Sequence, residues 1–199
     1  MMSMAVLLNG CFGTTPPSRF YSLTPRESHE IALSNNPELF IMVGPVEIPS
    51  YLDRSQIVTR TGRNEMAVAE FDCWSGKLEE EITRLLINTL SEQLTPKGIA
   101  VVSWRSNFST AQRRMFRIPV NIHRFDGTLG ETVVLSADWG LLGSKEKGES
   151  LILQLTTITE EVKGKGYDEL VAAMGRVLVR FGKVMAGRIS SVLPANTKD

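Results

Sequence analysis

The sequence predicts an α/β fold: a mixed β-sheet with an antiparallel meander and helices packed on it. Three observations support this class. Residues 39–43 form a continuous apolar run, which is typical of a central strand buried on both faces. Residues 77–94 carry leucine and isoleucine at helical spacing along one face. Asp126-Gly127, a strong two-residue hairpin signal, joins two apolar segments in the second half.

Length and composition favour one domain with its own core. The chain has 199 residues, of which 42% are hydrophobic and 22% charged, close to the average for globular proteins. Its 22 basic residues balance 22 acidic residues, so no overall field steers the chain onto nucleic acid. The cysteines and histidines are Cys11, Cys73, His29 and His123. These are too few for a disulfide scaffold or a structural zinc site, so we expect no metal and no cofactor.

The first residues resemble a short lipoprotein signal. Residues 1–8 are mostly apolar and too few to cross a bilayer, which takes roughly 20 residues. Gly10 then offers a small residue for a peptidase, and Cys11 offers a thiol for a diacylglyceryl group. We expect a truncated-looking signal over residues 1–10, lipidation of Cys11 and a flexible tether over 11–19. The polar Asn9 and the missing basic segment are atypical of such a signal. Three methionines among the first four residues suggest that the true start codon and the basic segment lie upstream.

The residue after Cys11 bears on sorting. Phe12 occupies the position where aspartate commonly signals retention in the inner membrane, so we expect the outer membrane. The alternative is an apolar N-terminus in which Cys11 is incidental.

The first half of the domain alternates short strands with one helix. Apolar runs predict strands at residues 20–23, 39–43, 56–60, 64–74 and 99–102, and the clearest helix covers residues 77–94. Ser75 is a candidate helix cap. Glu79, Glu80 and Glu81 lie in the first turns, where the helix dipole favours negative charge, so we expect a solvated helix start.

The hairpin signal also predicts a register for the meander. A two-residue turn at Asp126-Gly127 gives three apolar cross-strand pairs: Phe116–Ala137, Ile118–Leu135 and Val120–Val133. Pro119 cannot donate a ladder hydrogen bond, so its strand should lie at an edge, or its position should face away from the ladder. Residues 151–155 predict a third antiparallel strand.

A long helix over residues 168–190 closes the domain, which we place at residues 20–193 with a loose tail at 194–199. Arg176, Arg180 and Lys183 share one face of this helix. Such a face is usually solvated, but it is also a candidate contact for a partner or a lipid headgroup.

No residues of the sequence form a recognisable catalytic motif. The sequence has no Gly-x-Ser-x-Gly elbow, Walker lysine loop or His-Glu-x-x-His motif. His123 would lie opposite Gly130 in the predicted register, with no acid or base facing it. Cys73 has no histidine near it in sequence and is expected to be inert. We therefore expect no enzyme, and a small hydrolase is the weakest of the function classes considered.

One segment resembles a known family. Pro-x-Tyr-Leu-Asp-Arg, from Pro49 to Arg54, is similar to a segment of the PqiC family of ABC-transport auxiliary lipoproteins. Further similarity lies in Tyr21-Ser22-Leu23 after a lipidated cysteine, in Trp74 opening an amphipathic helix, and in Ala137-Asp138-Trp139 of the meander. The sequence departs from the family at Ser75-Gly76-Lys77, where Ala-Glu-Pro is common.

The resemblance implies both a fold and a role. The fold would be a three-layer architecture similar to anticodon-binding-like and TolB N-terminal domains. The role would be that of a periplasmic lipoprotein, held in the outer membrane, which partners an inner-membrane MCE-domain protein in lipid transport and supports envelope integrity. The competing hypothesis is a cytosolic interaction domain with an incidental Cys11.

Contacts with a partner could use three surfaces. The first is the loop with Pro49, Tyr51, Leu52 and Arg54, unless Tyr51 and Leu52 merely fill the core. The second is the basic helix face. The third is an exposed sheet edge, whose unpaired backbone groups a partner or another copy of the chain can use, so a homo-oligomer is compatible with the sequence.

Overall fold

The computed structural model describes residues 16–23, 37, 39–106, 114–143 and 150–193. In chain order the strands and helices are β1 Arg19–Tyr21, β2 Leu39–Glu47, β3 Gln56–Arg60, β4 Met66–Trp74, α1 Leu78–Leu94, β5 Ile99–Ser103, β6 Arg114–Gly127, β7 Thr132–Leu142, β8 Ser150–Glu161 and α2 Tyr167–Val192. Single 3₁₀ turns at Ser50–Leu52 and Thr95–Lys97 follow β2 and α1. Each predicted element is present within a few residues. Cys11, the signal over residues 1–10 and the tail at 194–199 lie outside the described residues.

The strands form two sheets of mixed orientation. The larger has five strands in the order β5-β2-β6-β7-β8, in which β2 is parallel to β5 and β6, and β6, β7 and β8 form an antiparallel meander. The smaller has the order β1-β4-β3, with β1 parallel and β3 antiparallel to β4. The predicted α/β class with a mixed sheet and a meander is therefore confirmed.

Both helices pack on one face of the five-stranded sheet. Helix α1 contacts β2 and β5, helix α2 contacts β6, β7 and β8, and the helices pack on each other. Gly182 of α2 lies close to α1, because an added Cβ there would be 2.8 Å from Thr89 Cγ2. The opposite face of this sheet, which we call the open face, carries the exposed side chains of the alternating strand residues.

The predicted register of the meander is wrong. The chain reverses at residues 128–131, where Thr128 N–H donates to Thr132 O at 3.0 Å, rather than at Asp126-Gly127. Beside the turn, as far as the irregularity between Ile122 and Arg124, the partners differ from the predicted ones by seven residues. Beyond it Val120 pairs with Trp139 instead of Val133, a shift of six residues. Because side chains alternate with a period of two, this even shift keeps the apolar residues on the helix-facing side. The pairs are still apolar, but the partners are different.

The second correction concerns Pro119, for which only one of the two predicted alternatives, an edge strand, is wrong. Its strand, β6, lies in the middle of the five-stranded sheet and not at an edge. The β2–β6 register is interrupted between Val43–Ile118 and Val46–Val120, so Gly44 and Pro45 form an irregularity opposite Pro119. A central strand tolerates this proline because the ladder is already broken where its hydrogen-bond donor is missing.

The start of α1 is the third correction. Ser75 is not its cap, since the N-cap is Lys77 without a side-chain hydrogen bond, and Trp74 ends β4 rather than opening the helix. Glu81 is not solvated but 2% exposed. Its Oε2 accepts hydrogen bonds from Leu23 N–H at 2.6 Å and Ser22 Oγ at 2.9 Å, and its Oε1 accepts one from Ser75 Oγ at 2.9 Å. These bonds join the segment after β1 to α1.

Candidate interaction surfaces

The loop from Pro49 to Arg54 is an ordered turn between β2 and β3. Pro49 has φ −59°, and its carbonyl accepts a hydrogen bond from Leu52 N–H at 2.9 Å, which closes the 3₁₀ turn. Leu52 is 2% exposed and packs in the core, whereas Asp53 and Arg54 are exposed. Tyr51 is half-buried and donates from its hydroxyl to Asp126 Oδ2 at 2.9 Å. The structure therefore directs Tyr51 and Leu52 inward and leaves Arg54 accessible.

Asp126 is the anchor of this loop. Its side chain is fully buried, and its Oδ1 accepts hydrogen bonds from Arg60 Nε at 2.9 Å and Arg124 Nε at 3.1 Å. Burial alone would raise the pKa of Asp126, but the hydrogen bonds from Arg60, Arg124 and Tyr51 outweigh it and hold that pKa below its ordinary value. Burial, followed by the bond to this carboxylate, raises the pKa of Tyr51 to about 12. The cluster is ionised at Asp126 and holds a neutral Tyr51.

The basic face of α2 is partly neutralised. Arg176 Nε and Arg180 Nη1 bind the two carboxylate oxygens of Glu160 at 3.0 and 2.9 Å. The same guanidinium groups donate to the carbonyls of Glu161 at 2.9 Å and Thr159 at 3.0 Å. Hydrogen bonds from Arg176 and Arg180 hold the pKa of Glu160 below its ordinary value. Two of the three predicted contact residues thus attach α2 to β8.

Lys183 is the third predicted contact on this face, and it is exposed. Within the described part of the chain it forms no ion pair, so it differs from the two arginines in being available to a partner.

His123 has a neighbour that the predicted register missed. Its Nε2 lies 2.6 Å from Asp138 Oδ2, and both side chains are about half exposed on the open face. The expectation that no acid faces His123 is therefore wrong, because Asp138 and not Gly130 is near it. In the described ranges no three side chains of histidine, cysteine, aspartate or glutamate are grouped to hold a metal ion.

The open face of the five-stranded sheet was not among the three surfaces predicted from the sequence. A groove of about 530 Å³ crosses it, lined by Pro45, Glu47, Pro119, Asp138, Gly140 and Leu153 among others. Leu153 and Leu155 of the edge strand β8 are 77% and 62% exposed. The apolar run at residues 151–155 was the available signal, since an antiparallel edge strand with one solvated face normally alternates with polar residues.

A second groove, of about 620 Å³, lies between the N-terminal segment and α2. It is lined by Phe20, Leu23, Val171, Gly175 and Arg176 among others, and Phe20 is 68% exposed.

Across the described residues, no helix is both long and apolar enough to span a membrane.

Comparison with known proteins gives a family match. A family model described as an ABC-type transport auxiliary lipoprotein component matches residues 21–186. The intermembrane transport lipoprotein PqiC of Escherichia coli (strain K12) is 25% identical over 173 residues, which are 87% of each protein. The Shigella flexneri protein of the same name gives the same values.

Two solved structures have a similar fold. The crystal structure of an uncharacterised protein has a TM-score of 0.69 at 23% identity, covering 88% of this chain and all of the other. A protein of Xanthomonas campestris has a TM-score of 0.65 at 16% identity, covering 87% and 96% of the two chains.

Proposed function

Because the chain belongs to the family of ABC-type transport auxiliary lipoproteins, we propose that it is a non-catalytic subunit of an MCE-type lipid transport system. In this proposal Cys11 carries the lipid anchor in the outer membrane, and the folded part lies in the periplasm. There it would bind an MCE-domain protein of the inner membrane and support the integrity of the envelope. The observation that carries the proposal is the family match itself, which runs from β1 to the second half of α2.

The attachment of the N-terminal segment to the domain supports a role as an anchored protein. Arg19 and Tyr21 of β1 both bind Asp72 of β4, with Arg19 Nε 2.8 Å and the Tyr21 hydroxyl 2.7 Å from Oδ1. Glu81 then holds the two residues after β1. A tether from Cys11 would therefore join the domain at a strand that is hydrogen-bonded to the core.

The chemistry of the anchor supports the outer-membrane assignment. A lipidated cysteine carries more than one acyl chain, and two or more chains bind a membrane stably, whereas a single chain binds it marginally. Phe12 lies in place of the aspartate that commonly causes retention in the inner membrane.

The test is to express the gene with its upstream codons and to fractionate the cells. We expect the protein in the outer-membrane fraction, with an intact mass that corresponds to cleavage before Cys11 and acylation. Cys11→Ala is the matched control and should move the protein out of that fraction. Cytosolic recovery of a chain with an unmodified Met1 would contradict the proposal and favour the interaction-domain hypothesis.

The partner is tested separately. An MCE-domain protein expressed together with this chain should co-purify with it from detergent-solubilised membranes. If the protein reaches the outer membrane but does not co-purify with the MCE-domain protein, the lipid anchor remains supported and the proposed partner is excluded.

A further inference from the structure

Strand β1 is the first strand after Cys11, and the chain between them is short. Arg19 lies eight positions after Cys11, so even a fully extended chain spans at most about 29 Å between them. A folded chain of this size is about 40 Å across. Arg19 is held to β4 by the strand pairing and by its ion pair with Asp72. A domain anchored at Cys11 therefore cannot turn the end opposite β1 to the membrane.

Phe20 is an exposed aromatic side chain at this end of the domain. Its neighbours Arg19 and Tyr21 both bind Asp72, and because side chains alternate along a strand, Phe20 points away from that carboxylate. Phe20 is 68% exposed, and its backbone pairs with Cys73 of β4. The ring is thus carried by a fixed strand and is available for contact with an apolar environment outside the chain.

The groove beside Phe20 continues this apolar surface onto α2. The groove holds about 620 Å³ and extends along the helix from Asp168 to Arg180, a rise of about 18 Å. Most of the side chains between its charged ends are apolar: Leu23, Leu85, Val171, Ala172 and Val179. Phe20 and the groove together form an apolar surface next to the point where the tether joins the domain.

Basic side chains follow the groove along the same helix face. Arg176, Arg180 and Lys183 are spaced by four and three residues, so they form a row about 10.5 Å long. Glu160 offsets one arginine charge, and Asp168 at the other end of the groove offsets a second. One net positive charge remains, and Lys183 is the cation of the row that forms no ion pair with any described residue.

These features match the chemistry of a phospholipid surface. Aromatic rings are enriched at the boundary between headgroups and acyl chains, and basic side chains are attracted to anionic headgroups. Amphipathic surfaces that lie on membranes combine an apolar strip with lysine and arginine beside it. The short reach of the tether places such a surface where the anchor holds the domain.

We call Phe20, Ala172, Val179, Arg180 and Lys183 the anchor-side patch. We propose that the anchor-side patch lies on the phospholipid surface that holds the lipid at Cys11, with Phe20 inserted among the lipids and the two cations against phosphate groups. This inference rests on the proposed function for the lipid anchor and adds a second, non-covalent contact. A covalent anchor alone lets the domain rotate about its tether, whereas the patch fixes which side faces the membrane.

The test attaches one weak anchor to Cys11, so that a second contact becomes measurable. Full-length chains carrying Cys73→Ala are prepared without acylation, and Cys11, then the only thiol, is joined to a maleimide with a single alkyl chain of myristoyl length. One such chain binds membranes marginally and reversibly. Partition into phosphatidylcholine vesicles with about 30% phosphatidylglycerol, measured by flotation, then reports any added contact.

Two substitutions compare the patch with a distant apolar residue. Phe20→Ser should reduce partition into these vesicles at least about fivefold, because the ring no longer leaves water. Val192→Ser is the matched control, since Val192 is 41% exposed and lies twelve residues beyond Arg180 on the same helix. It should change the partition less than about twofold. An unchanged partition of Phe20→Ser, or an equal loss in the control, would overturn the proposal.

Lys183→Glu tests the contact with headgroups. It should weaken partition into the vesicles with phosphatidylglycerol about fivefold and leave partition into pure phosphatidylcholine unchanged. Equal partition of Lys183→Glu and its parent into both kinds of vesicle would overturn the headgroup contact. Thermal melting confirms that each variant is folded.

Two further outcomes separate this proposal from its alternatives. A Phe20→Ser chain that partitions like the parent but no longer captures the MCE-domain protein would show that the patch contacts protein and not lipid. Because the alkyl chain is attached chemically, the partition does not depend on acylation in the cell. A chain that the cell leaves unacylated contradicts the proposed function, whereas an unchanged partition of Phe20→Ser contradicts the anchor-side patch alone.

Discussion

The hydroxyl of Tyr51 donates a 2.9 Å hydrogen bond to Asp126, which lies 75 positions further along the chain and is fully buried. This bond joins the Pro49–Arg54 loop to the end of β6, and it explains why a loop with three exposed polar residues is ordered. It also separates the roles of neighbouring residues, because Tyr51 supports the fold while Arg54 is exposed to solvent.

Tyr51→Phe should lower the free energy of unfolding by about 1.5–3 kcal/mol, since it removes a hydrogen bond to a buried charged group and keeps the ring. Urea denaturation measures the change. Arg54→Ala should alter stability by no more than about 0.5 kcal/mol, because its side chain is exposed. If Arg54 contacts the partner, this variant will retain its stability and lose capture of the MCE-domain protein. If Arg54→Ala still captures the MCE-domain protein normally, the loop is not part of the interface.

Asp126 should also govern the acid stability of the domain. Its folded-state pKa is lower than its unfolded-state value of about 4, so its stabilising contribution is complete above about pH 4 and is lost as the pH falls through the folded-state pKa. Asp126→Asn should destabilise the protein by about 3 kcal/mol at neutral pH, since Arg60 and Arg124 lose their anion. It should also reduce the fall in stability below pH 4. If the free energy of unfolding of Asp126→Asn falls below pH 4 as steeply as that of the parent, other carboxylates control the acid stability.

Gly182 should tolerate no side chain at the contact between the helices. Gly182→Ala places a methyl group 2.8 Å from Thr89 Cγ2, and we expect a loss of about 1–3 kcal/mol from overpacking. Gly187→Ala is the matched control in the same helix, because an added Cβ there meets nothing within 4 Å. It should stabilise the protein by about 0.5–1 kcal/mol through helix propensity. Equal effects of the two changes would contradict a close approach at Gly182.

Glu81 should hold the N-terminal segment against the domain. Glu81→Ala leaves the buried Leu23 N–H without its acceptor and should cost about 1–3 kcal/mol. Amide hydrogen exchange should accelerate at Leu23 and in β1, while α2 retains its protection. Glu92→Ala, an exposed position on the same helix, is the control and should leave exchange at Leu23 unchanged. Slow exchange at Leu23 in Glu81→Ala would show that β1 pairing alone holds the segment.

The positions of the elements and their buried faces could be predicted from the sequence, because both depend on periodicity within a few residues. Helix α1 was expected at residues 77–94 and is found at Leu78–Leu94, and β3 is found at the expected Gln56–Arg60. The apolar residues of the meander lie on the expected face even though their partners differ by six or seven residues.

Among the candidate site residues, the sequence identified Arg176, Arg180 and the Pro49–Arg54 segment as unusual but could not assign their contacts. Glu160 and Asp126 decide those contacts, and they lie far away along the chain. The pairing of His123 with Asp138 was missed for the same reason, since it follows from a register that the turn signal gave incorrectly.

The sequence by itself determined which residues form strands and helices and which side chains avoid water, because hydrophobic spacing is a local property. Only the tertiary structure decided that Pro119 lies in a central strand, that Glu81 is buried, and that Leu153, Gly140 and Asp138 line one open groove. These outcomes depend on which strands become neighbours and in what register. That choice is made by packing and hydrogen bonding between distant segments, and no local pattern encodes it.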